Sequence, residues 1–110
     1  MPHRVVTLLD EDRMPIATAD VDDKQGRCSG TVDVNHMPES LRRLFEEYEE
    51  IVSNQIFGLL DQIEDRINSI PLLVVFDDGV EARARDVQIF PRSGTISFEV
   101  AESGVPNRSR

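Results

Sequence analysis

Between Glu39 and Ile70 the apolar residues recur at gaps of mostly three and four. Leu41, Leu44, Phe45, Tyr48, Ile51, Val52, Ile56, Leu59, Leu60, Ile63, Ile67 and Ile70 carry the pattern. That spacing stacks side chains on one face of a helix. The other face reads Arg43, Glu46, Glu47, Glu50, Asn54, Asp61, Glu64, Asp65 and Asn68. Phe57 is the exception and points well away from the apolar stripe. Pro38 suits a first helical turn, and Glu39 complements the positive end of the helix dipole. Pro71 cannot continue the helix. Gly58 weakens the interior by up to ~1 kcal/mol relative to Ala. The apolar phase is the same on both sides of it, so the pattern predicts one helix over 39–70, bent at most at Gly58.

Before this helix the chain alternates. Arg4–Leu9, Ile16–Val21 and Arg27–Val34 are short, rich in β-branched residues, and separated by the polar breaks 10–15 and 22–26. Gly30 inside the third run predicts a bulge or a close backbone approach. After Pro71, Leu72–Phe76 is continuously apolar, as a central strand is. Asp78-Gly79 is the strongest turn signal in the chain. Val80–Ala84 alternates, then loses phase at Arg85-Asp86, which predicts a bulge or corner. A turn over 91–94 leads to a last strand, Thr95–Ala101, with Ile96, Phe98 and Val100 inward.

Three strands, one helix and three strands make an α+β domain with an antiparallel sheet. The expectation is a six-stranded sheet or small open barrel with one long amphipathic helix. Residues 1–102 would form this single domain, and 103–110 a disordered C-terminal tail without apolar period. A rod of more than thirty residues spans roughly 45 Å, against a radius of gyration of ~13 Å for a globule of this size. Its overhanging stripe calls for cover, which a second copy of the chain would supply.

Composition narrows the function. The net charge is −9, and the 39–70 segment holds eight acids against Arg42, Arg43 and Arg66. Such a chain repels nucleic acid, whose binding is led by Lys and Arg on phosphates. No apolar run approaches the ~20 residues of a membrane helix. The N-terminus does not read as a signal peptide. The single cysteine, Cys28, fits a reducing cytoplasm.

Candidate chemistry is sparse. Asp20, Asp22 and Asp23 form a D-x-D-D cluster, but Lys24 and Thr31 stand where a calcium loop needs oxygen ligands. His3 and His36 lack zinc-ligand spacing, so no metal or cofactor is expected. Cys28 and His36 would need a third, orienting residue to act as nucleophile and base. Arg83, Arg85 and Arg92 in the second meander form a candidate anion patch. His36, Tyr48, Glu49 and Arg66, on or near the stripe, are candidate polar groups of a pocket.

The leading expectation is a non-catalytic assembly module, homodimeric through the helix, with Phe57, Leu60, Ile63 and Ile67 at the interface. One alternative is a small-molecule-binding protein or enzyme with a pocket between helix and sheet. Another is an acidic nucleic-acid mimic that binds a basic protein.

Overall fold

The strands form where alternation and turn chemistry place them. The computed structural model describes residues 3–101, so the segment 103–110 lies outside the described residues. In chain order the elements are β1 (His3–Leu9), β2 (Pro15–Lys24), β3 (Arg27–Asp33), α1 (Glu39–Ser53), α2 (Phe57–Asn68), β4 (Leu73–Phe76), β5 (Glu81–Phe90) and β6 (Thr95–Ala101). All strand pairs are antiparallel, in the order β1-β2-β3-β6-β5-β4.

The sheet is a closed barrel rather than an open one. β1 closes it by pairing on both sides, with β2 along its length and with β4 from Val6↔Phe76 to Leu9↔Leu73. Closure gives each described strand a hydrogen-bonded neighbour on both sides, although β4 covers only 81–83 of β5. Two local features follow the sequence reading. The register of β5 on β6 shifts between Arg85 and Gln88, and Asp86 there has φ +52°. At Gly30, a Cβ would lie 1.9 Å from the Asp20 carbonyl oxygen, so only glycine lets β2 approach β3 this closely.

The long helix is the main correction. Two helices replace it, and the break falls at 54–56 rather than at Gly58. α1 ends in a Schellman motif: the Gln55 N–H donates to Val52 O (3.2 Å) and the Ile56 N–H to Ile51 O (3.0 Å). Gln55 takes the left-handed conformation this requires, φ +57°. Glycine or asparagine usually fills that position, so the sequence carried no visible stop. Gly58 instead sits in the first turn of α2, with open space around it.

α2 folds back along α1. The Tyr48 hydroxyl lies 3.4 Å from Glu64 Oε2, and Arg66 Nη1 lies 3.6 Å from Glu47 Oε1. Phe45, Tyr48 and Ile51 from α1 and Ile63 and Ile67 from α2 join one buried cluster with Val6, Leu8, Val74, Ile89 and Phe98 of the barrel. Both helices pack on β5, and the Tyr48 ring lies 5.7 Å from that of Phe90. The overhanging rod is therefore absent: its stripe is the seam between hairpin and barrel.

Candidate functional site

The corner between the helices exposes what the seam does not bury. Ile56, Phe57 and Leu59 are 42%, 66% and 45% exposed, while Leu60 is half-buried. The tight reversal at Gln55 brings these side chains to the tip of the hairpin. On the α2 wheel, Asp61, Glu64 and Asp65 follow Phe57 at i+4, i+7 and i+8, so an exposed aromatic ring heads an acidic stripe. The bases of the hairpin are already engaged: Arg43 with Glu39 (2.7 Å), Arg42 with Glu46 (3.7 Å) and Arg66 with Glu47 (3.6 Å). Glu50, Asp61 and Asp65 make no ion pair among the described residues. The tip is thus apolar, and the surface beside it carries uncompensated negative charge.

Of the four residues expected at an interface, Phe57 and Leu60 lie at or beside this tip. Ile63 and Ile67 are buried in the seam.

The four candidate pocket groups do not converge. Glu49 is buried and accepts hydrogen bonds from the Arg92 N–H (2.9 Å), the Ser93 N–H (3.1 Å) and the Ser93 hydroxyl (2.6 Å). Tyr48 is buried against Phe90 and faces Glu64. Its hydroxyl is pushed up to about 12, chiefly by burial, then by the Glu64 charge and hydrogen bond. Arg66 is exposed and reaches across to Glu47 of α1, and His36 lies beside Pro15, Thr18 and Asp33 in a separate surface hollow.

The chain matches no family model, no curated protein and no solved structure.

Cys28 is fully buried, at the start of β3 opposite Phe98. Burial pushes its thiol up to about 11, with the Asp23 carboxylate adding to the rise and Arg4 opposing it. A protonated, enclosed thiol is a poor nucleophile. His36 follows the opposite end of β3, so the two do not pair. Asp20 and Asp22 flank His3 at 3.6 and 4.0 Å. Among the described residues, no group of three or more His, Cys, Asp or Glu is placed to hold a metal ion. None of the described helices is long and apolar enough to cross a membrane.

The predicted arginine patch divides. Arg83 and Arg85 share the outer face of β5 and line a groove of about 590 Å³ against the C-terminal end of α2. Arg92 lies beyond the other end of β5, in the turn held by Glu49. Sequence reasoning missed the groove because its other wall, Asn68 and Ile70, comes from a helix end that only the tertiary fold brings to β5.

Proposed function

We propose that the protein is a non-catalytic interaction module whose helical hairpin engages a basic, amphipathic segment of a partner protein, with Phe57 as the apolar anchor. The observation that carries this reading is the exposed Phe57 ring at the head of the Asp61–Glu64–Asp65 stripe. Aromatic anchors carry much of the binding energy at protein interfaces, and complementary charge adds specificity and steers the encounter. Charge also selects the kind of partner. The 39–70 segment has eight acids and three arginines, a balance of −5. Two copies meeting through this face would bring like charges together, whereas a basic helix places cations against Asp61 and Asp65 while its apolar side covers Phe57. The homodimer expected from a long rod loses its main argument, because the stripe that was to be shared is internal.

The test uses a synthetic amphipathic helix of leucine and lysine, titrated by calorimetry. Saturable binding that weakens with salt and falls about tenfold in Phe57→Ser supports the reading; tenfold is ~1.4 kcal/mol. An oligolysine of equal charge should bind more weakly. Equal affinity for Phe57→Ser and the wild type would overturn it. So would a stable dimer in light scattering that Phe57→Ser dissociates, since the tip would then be occupied by a second copy.

A further inference from the structure

We propose that the groove between the end of α2 and the β5 bulge binds a small organic anion, a carboxylate or phosphate ester carrying an apolar body. Its volume, about 590 Å³, falls within the range of small-molecule sites. The site is independent of the hairpin tip and lies on the barrel wall.

The charge arrangement favours an anion. Arg27 bridges both carboxylates of the groove, at 2.8 Å from Asp86 and 3.6 Å from Glu99, and bonds Ser97 Oγ at 2.9 Å. Those acids are therefore held by a residue outside the groove lining. Arg85 keeps a long contact to Glu99, 3.8 Å, and is 65% exposed along its side chain. Arg83 makes no ion pair among the described residues. With Arg27 counted, three guanidiniums surround the groove's two carboxylates, an excess of one positive charge, and Arg83 and Arg85 share one face of the strand. Paired guanidiniums are suited to bidentate recognition of carboxylate and phosphate.

The backbone supports the same assignment. The bulge between Arg85 and Gln88 holds Asp86 at φ +52°, a conformation that costs a non-glycine residue energy. Bulges re-aim side chains next to sites. This one turns Val87 inward while Arg85 stays out. The groove's opposite wall fixes the ligand's direction. α2 presents its negative dipole end there, together with Ile67 and Ile70. The anionic group therefore sits at Arg83 and Arg85, and the apolar body lies toward the isoleucines.

The probes are benzoate, phenyl phosphate, inorganic phosphate and neutral benzyl alcohol, each titrated into the ¹⁵N-labelled full chain and followed by amide NMR. The expected result is saturable shifts confined to 68–70 and 83–87 with benzoate or phenyl phosphate. Inorganic phosphate should bind more weakly, and benzyl alcohol should cause no such shifts. Which of the two aromatic anions binds tighter identifies the preferred head group. The variant Arg83→Gln/Arg85→Gln, with its other resonances unchanged, should weaken the anion at least tenfold, whereas Phe57→Ser should leave it unaffected. Shifts scattered over the surface, equal shifts from the alcohol, or undiminished binding to the double variant would overturn the proposal.

Discussion

Glu49 of α1 and Ser93 of the β5–β6 turn are joined by two hydrogen bonds to one carboxylate oxygen, from the Ser93 hydroxyl at 2.6 Å and its N–H at 3.1 Å. The other oxygen accepts the Arg92 N–H at 2.9 Å. A buried carboxylate on the helix thus takes the place of backbone partners for a turn forty-odd residues away. Glu49→Ala removes the carboxylate that these donors share and leaves them to solvent. It should cost about 1.5–3 kcal/mol in urea unfolding, the range for hydrogen bonds to a charged group. Glu49→Gln should recover only part of this, because its NH2 group faces donors.

Two glycines of opposite surroundings give a paired prediction. Gly30→Ala places a methyl group into the Asp20 carbonyl, and that contact is backbone rather than a movable side-chain end. It should destabilise by about 3 kcal/mol, the upper end for overpacking. Gly58→Ala meets nothing within 4 Å, and the residue is not in the left-handed region. It should stabilise by about 0.5 kcal/mol, through lower unfolded-state entropy and better helix propensity. Urea midpoints of the two variants, moving in opposite directions, check both.

The strands were legible because each rule behind them is local. Asp78-Gly79 turns the chain, alternation fails at Arg85-Asp86 where the register shifts, and Gly30 marks a close approach. Barrel closure was not legible. It depends on β1 meeting β4 with partners such as Leu9 and Leu73 far apart in sequence, and no residue type announces such a pairing. The helix break was hidden for a different reason. Gln55 adopts a conformation that favours Gly, and the apolar phase runs on because both helices bury their stripes in one seam. For the candidate site, the helical wheel singled out Phe57 as off the stripe. It could not show that the stripe itself is covered, leaving Phe57 and its neighbours as the exposed remainder. Glu49 was visible as a polar residue on an apolar face; its partners, Arg92 and Ser93, come from the tertiary fold.

Cys28 makes the barrel's interior measurable. With its thiol raised from 9.0 to about 11, the thiolate fraction near pH 8 is lower by about a hundredfold than in the unfolded chain. A disulfide reagent should label native Cys28 slowly and the urea-unfolded chain at once. The same shift has a sign in stability. Between pH 9 and 11 the folded state holds a proton that the unfolded state has released, so stability falls as pH rises through that window. Tyr48, raised from 10.0 to about 12 for the same leading cause, extends the decline. Urea midpoints should hold steady on this account below pH 9 and drop above it. A Cys28→Ser variant should lose the first part of the drop, and a flat profile would contradict the buried thiol.

Ile67 and Phe57 separate folding from binding on the same helix. Ile67 is 3% exposed and Phe57 66%, although both are large apolar residues of α2. Ile67→Ala removes methyl groups from the seam with Tyr48 and Ile63 in the same cluster, and should cost about 3 kcal/mol. Phe57→Ala removes a ring already in water and should change stability by less than about 0.5 kcal/mol. Its effect belongs to binding, where affinity for the leucine–lysine helix should fall. Urea unfolding and calorimetry on both variants resolve the two roles. A large stability loss in Phe57→Ala would place the ring in the seam after all, and its value as an anchor would go with it.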